Sequence, residues 1–177
     1  MSRNLRARLR TSTLALPAIL ALAGPATAGA SHQDDQKLVV RGESIIQDAG
    51  DCPAGVCRLE MTGGKFRGTL GTGAYGGSMK LRVAEAFPNG EGGVCAPIRG
   101  KIVLGEGTKD RLVLAVDGDS CQDGQGDVTQ ASFTGLADWT VKHGTGAYAK
   151  ARGHGLASFS EDAADRDRMT LIGRIAR

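Results

Sequence analysis

The sequence predicts an all-β protein whose strands close into an eight-stranded antiparallel barrel, with a two-sheet β-sandwich as the competing architecture. Helix periodicity is nearly absent beyond residue 28, whereas short runs of period-two alternation recur between clusters of Gly, Asp, Asn and Ser. In "ASFTGLADWTV" the residues Ala131, Phe133, Ala137, Trp139 and Val141 share one face, and Ser132, Thr134, Asp138 and Thr140 take the other. Eight or nine such runs joined by short turns must bury one face and protect their edges, and closure does this most economically.

The alternation places strands near residues 37–47, 56–62, 65–70, 77–87, 97–105, 110–117, 130–142, 152–160 and 167–176. The last of these, "RMTLIGRIA", runs to the chain end, so its removal is expected to open the barrel and expose an edge.

Ahead of this region, Arg3, Arg6, Arg8 and Arg10 precede the apolar run "TLALPAILALAG" and the small-residue stretch "ATAGA". That order is a secretory signal over 1–28, followed by a flexible mature N-terminus over 29–36 and a single barrel domain over 37–177. Pro17, Gly24 and Pro25 interrupt a run already short of the roughly 20 residues a spanning helix needs, so no membrane span is expected in the mature chain. Cleavage removes four of the 22 Lys and Arg and none of the 19 Asp and Glu, leaving 18 against 19. With that balance, composition offers no reason to expect nucleic acid as a partner. Oligomeric state is not legible.

Four cysteines, Cys52, Cys57, Cys95 and Cys121, lie in the exported part, where two disulfides are the expectation. "RGKIVLGEGTKDRLVLAV" reads as two strands around the turn "EGTKD"; if Gly105 pairs with Arg111, every pair in the hairpin sums to 216, as do 95 and 121. Cys95 then bonds Cys121, and Cys52 bonds Cys57 across "CPAGVC". No CxxC occurs, which disfavours zinc.

"GTGAY" occurs at Gly71–Tyr75 and again at Gly144–Tyr148, an offset that also maps Phe66 onto Trp139. Both copies are expected at strand reversals, with each Tyr turned back to plug a barrel end. The first copy, "GTGAYGG", also fits the dinucleotide pattern G-x-G-x-x-G, but that fingerprint must open a helix. Here Met79, Leu81, Val83 and Phe87 follow in a strand period, so no nucleotide cofactor is expected, and no other motif implies one.

The second copy, "HGTGAYAKARGHGLASFS", resembles the strand-turn-strand signature of secreted bacterial proteins with an allene oxide cyclase-like or dirigent-like barrel of calycin type. The resemblance implies an eight-stranded barrel with an apolar interior that in some relatives holds a hydrophobic molecule or guides a cyclisation. It assigns no catalytic role to any residue here, and the same fold hosts catalysts and binders alike.

Glu85 shares parity with Met79, Leu81, Val83 and Phe87, so it is the candidate inward carboxyl, able to act as a general acid or polarise a ligand. The expected ligand-binding surface is Phe66, Leu81, Val83, Glu85, Phe133 and Trp139. His143 and His154 bracket the second GTGAY without a third ligand, so no metal site is assigned. The acid-rich "DGDSCQDGQGD" and "EDAADRD" read as solvated loops, the first failing the EF-hand pattern. The expected role is that of a secreted, non-catalytic barrel binding an apolar small molecule or serving as an extracellular interaction domain. The alternative is a cyclase or isomerase acting on a hydrophobic substrate inside the barrel.

Overall fold

The computed structural model describes residues 35–48, 52–90, 92–122, 133–161 and 166–177. The expected signal segment and residues 29–34 of the expected flexible N-terminus lie outside the described residues, as do 123–127 and 162–165 of the two acid-rich stretches. Among the described residues nine strands follow in order: β1 (Gln36–Asp48), β2 (Cys57–Gly68), β3 (Gly71–Leu81), β4 (Phe87–Pro88), β5 (Val94–Leu104), β6 (Leu112–Gln122), β7 (Phe133–Gly144), β8 (Arg152–Glu161) and β9 (Arg166–Ala176). Consecutive long strands pair antiparallel, β9 returns to pair with β1, and β3 pairs with β5. The result is a closed eight-stranded barrel, with β4 as a two-residue addition beside the start of β5. Because the sheet closes on itself, the described residues form no second sheet for a sandwich.

The β5–β6 register runs from Leu104 opposite Leu112 to Val94 opposite Gln122, and it sets Cys95 against Cys121. That pair is bonded, and so is Cys52–Cys57. The expected runs 56–62 and 65–70 are one strand, β2, because the Gly63–Gly64 pair makes a bulge rather than a break. The register against β3 slips between Met61 and Gly64, where Gly63 takes a φ of 64°. β3 starts earlier than expected, at Gly71, and stops at Leu81.

The two GTGAY copies are not equivalent turns. The first is extended strand, with the reversal falling just before it at Thr69–Leu70, while the second ends β7 and forms a 3-10 turn at Gly146–Tyr148. What they share is the β5–β6 turn between them. The amides of Gly105 and Glu106 donate to Ala74 O of the first copy. From the second, Thr145 Oγ1 donates to Lys109 O at 2.6 Å and the Ala147 amide donates to Asp110 Oδ1 at 2.9 Å. Tyr148 is half-buried, with the Arg177 guanidinium 5.1 Å above its ring.

Inside the barrel, large aromatics lie over strand glycines. Trp139 stands opposite Gly155, itself opposite Gly173, and a Cβ on these glycines would come within 2.8 Å of Cε2 and 2.5 Å of Cζ2 of the indole. The indole is fully buried and its Nε1 donates to Leu156 O at 3.1 Å. Tyr75 stands opposite Gly64 and lies flat over it and over Gly42, where an added Cβ would meet Cε1 at 2.6 Å. Leu38, Val40, Ile102, Leu112, Leu114 and Leu171 fill the space between, all buried. Each such aliphatic contributes about 1.5–3 kcal/mol by leaving water. This half of the barrel is therefore solid.

Candidate functional site

The other end carries both disulfides and is less filled. Here inward residues of all eight long strands enclose two connected levels. The inner level is a void of about 40 Å³, lined by Ile46, Leu59, Met61, Phe133 and Phe159 with Glu161 and Asp167 among them. The outer level is a mouth of about 860 Å³, bounded by Ile45, Leu81, Val83, Gln122 and Phe133, and it shares Ile46, Leu59, Ser120 and Glu161 with the inner one. Ligand pockets run from about 300 to 1,000 Å³, so the mouth has the capacity for a small molecule while the inner void admits only one small group.

Asp167 forms the polar floor. On β9 the residues Asp167, Met169, Leu171 and Ile175 are all buried, so alternation that points three apolar side chains inward carries the carboxyl with them. On β1 the same parity turns Leu38, Val40 and Ser44 inward, and Ser44 is the register partner of Asp167. The Ser44 hydroxyl donates to Asp167 Oδ2 at 3.3 Å. Asp167 Oδ1 and the Tyr75 hydroxyl are buried with no hydrogen-bond partner among the described residues. Ser44 stands close enough to the phenol to temper its shift, but no bond of hydrogen-bonding geometry joins them.

Burial pushes the Asp167 carboxyl up to about 7; the Ser44 bond opposes the rise and the Glu161 charge, its neighbour across β8–β9, adds to it. Burial likewise raises the Tyr75 phenol to about 12, against Ser44 and with the Asp167 and Glu43 charges. Below neutrality Asp167 is a buried carboxylic acid able to donate a hydrogen bond; above it, a buried carboxylate able to accept one. Tyr75 remains a neutral phenol across that range.

Leu81, Val83 and Phe133, three residues of the expected ligand-binding surface, line the mouth. Phe66 and Trp139 do not; both are buried in the solid half. Glu85 does not point inward. β3 ends at Leu81, the Arg82 amide donates to Pro97 O, and Val83–Glu85 wind into a 3-10 turn that cancels the strand parity. The Glu85 carboxylate instead pairs with Arg82 at 2.6 Å, both side chains about half exposed. The "CPAGVC" turn packs on this segment: a Cβ at Gly55, whose φ is 73°, would lie 2.5 Å from that of Ala84.

His143 and His154 are exposed, opposite Val113 and Thr140 respectively. Among the described residues no group of three or more His, Cys, Asp or Glu is placed to hold a metal ion. "EDAADRD" reads as a solvated loop, yet its last residue, Asp167, also begins the expected strand 167–176 and is the most consequential acid of the barrel. It was legible as an acid on an apolar strand face in "DRMTLIGRI", the same signal that singles out Glu85. Compared with known proteins, the chain matches no family model, no curated protein and no solved structure.

Proposed function

We propose that the protein is a secreted, disulfide-stabilised binder of an apolar small molecule. The molecule lodges in the mouth at the disulfide end and presents one polar group to Asp167. The observation that carries this reading is the contrast between the two halves of the barrel. One is filled by Trp139, Tyr75 and aliphatics, while the other keeps an apolar-walled mouth over a buried carboxyl with an unpartnered oxygen. An unpartnered buried polar atom costs about 1–3 kcal/mol, a penalty that a ligand hydrogen bond would relieve. The paired cysteines and the signal-like first 28 residues support export. Among the described residues no helix is long and apolar enough to cross a membrane.

A second reading is a cyclase or isomerase, favoured by one observation: two buried groups with unpartnered oxygens, the Tyr75 phenol and a carboxyl raised to about 7, stand close together beside Ser44, and the carboxyl lines the inner void. Such a pair can polarise an oxygen of a bound substrate. Native mass spectrometry of the protein collected from culture medium, followed by organic extraction, tests the binder. A retained apolar molecule released on unfolding is expected. Its chemical conversion by wild type but not by Asp167→Asn favours the enzyme, and an empty protein that takes up no apolar compound refutes both.

A further inference from the structure

The outer wall formed by β2, β3 and β5 carries a row of cations that composition conceals. Arg58 stands directly opposite Lys80, and Lys80 directly opposite Arg99, so three like charges occupy consecutive strands in register. Lys101, opposite Ser78, adds a fourth one step along β5. Adjacent strands lie about 4.8 Å apart, and like charges at that separation repel. Compensation is sparse: Arg99 Nε reaches Asp117 Oδ1 at 2.9 Å, while Arg58, Lys80 and Lys101 form no ion pair among the described residues. All four side chains are exposed, and they border a shallow groove of about 460 Å³ together with Glu60 and Ser78.

We propose that this wall is a binding site for a linear, base-free phosphate polymer. Charge complementarity carries the assignment, because a row of closely spaced cations matches a chain of closely spaced anions better than it matches one isolated anion. Single-stranded nucleic acid is disfavoured, since its binders add aromatic platforms for base stacking and no aromatic side chain borders this groove. The rest of the chain offsets the row in net charge, which keeps the attraction local. The site lies on the outside of the barrel and is independent of the mouth.

The test is a binding titration of the disulfide-intact protein with inorganic polyphosphate at several salt concentrations. The variant Arg58→Gln, Lys80→Gln, Lys101→Gln is expected to bind about tenfold more weakly at physiological salt, and its slope of log affinity against log salt to be shallower by about 2. Because the substitutions relieve repulsion between exposed side chains, its melting temperature should equal or exceed that of wild type. The control Lys37→Gln, Lys109→Gln, Lys142→Gln removes the same charge from exposed cations that border neither this groove nor one another and should bind within about twofold of wild type. Equal losses in both variants would show a response to net charge alone and overturn the site. Tighter binding of single-stranded DNA or dextran sulfate than of polyphosphate would overturn the ligand class. A salt-sensitive dimer abolished by the first variant would reassign the wall to self-association and likewise overturn the proposal.

Discussion

Ser44 and Asp167 face each other as register partners on β1 and β9, and the Ser44 hydroxyl donates to one carboxyl oxygen at 3.3 Å while the other has no partner among the described residues. Closure of the barrel creates this relationship, because β1 and β9 meet only when the chain's last strand returns to its first. The site and the fold therefore depend on the same seam.

Stability should report the carboxyl directly. Its folded value of about 7 lies above the 3.8 of an ordinary Asp, so the folded state holds a proton that the unfolded chain has lost between those two values. Folding stability contributed by the protonated group is full below about pH 4, declines as pH rises, and levels off above about pH 7. The total loss is on the order of 4 kcal/mol. Asp167→Asn should match wild type near pH 4 and exceed it above pH 7. Urea denaturation across this range checks it, and parallel pH profiles would remove Asp167 from the account.

Tyr75→Phe removes a buried hydroxyl that has no partner among the described residues. Stability should stay the same or rise by up to about 1 kcal/mol, since an unmade hydrogen bond is a cost rather than a gain. A loss greater than about 1 kcal/mol in calorimetry would mean that the phenol hydroxyl is hydrogen-bonded in the folded protein.

The glycines beneath Trp139 should be intolerant of a single methyl. At Gly155 and Gly173 an added Cβ meets the indole, and also the backbone carbonyls of Ile172 and His154 respectively. Gly155→Ala is expected to cost about 1–3 kcal/mol, as overpacking does. Combined with Trp139→Leu the costs should be non-additive, because the two residues share one contact. Simple additivity in a double-mutant cycle would contradict the packing described.

The two disulfides should differ in weight. Opening Cys95–Cys121 releases a 27-residue loop and should cost about 3.5 kcal/mol, against about 2 kcal/mol for the six-residue Cys52–Cys57 loop. Paired Cys→Ala variants compared by denaturant midpoint check the order, and a reversal would mean that the short loop organises the mouth more strongly than chain entropy suggests.

Much of the barrel was legible because strand alternation is local. "ASFTGLADWTV" and the hairpin around "EGTKD" reveal their faces and their register from a few residues each, and the Cys95–Cys121 bond follows from that register. The glycines misled where their role is cross-strand. Gly63–Gly64 reads as a break but is a bulge, and "GTGAY" reads as a repeated turn although Tyr75 lies on a strand over a neighbour's glycines. Glu85 failed because parity holds only while a strand continues, and β3 stops at Leu81. Asp167 obeys the parity rule that Glu85 breaks, but Ser44, which donates to it, lies 123 residues away in the chain, and only barrel closure joins them.

The most direct test of the central claim is titration of the apolar fluorophore N-phenylnaphthylamine into wild type and Ser120→Trp. Ser120 lines both levels of the mouth and stands opposite Gly135, so an indole there would occupy the space a ligand needs. Saturable binding by wild type, lost in a Ser120→Trp variant with an unchanged circular dichroism spectrum, is the predicted result. Absence of wild-type binding, or equal binding by both proteins, would contradict the assignment of the disulfide end as the ligand site.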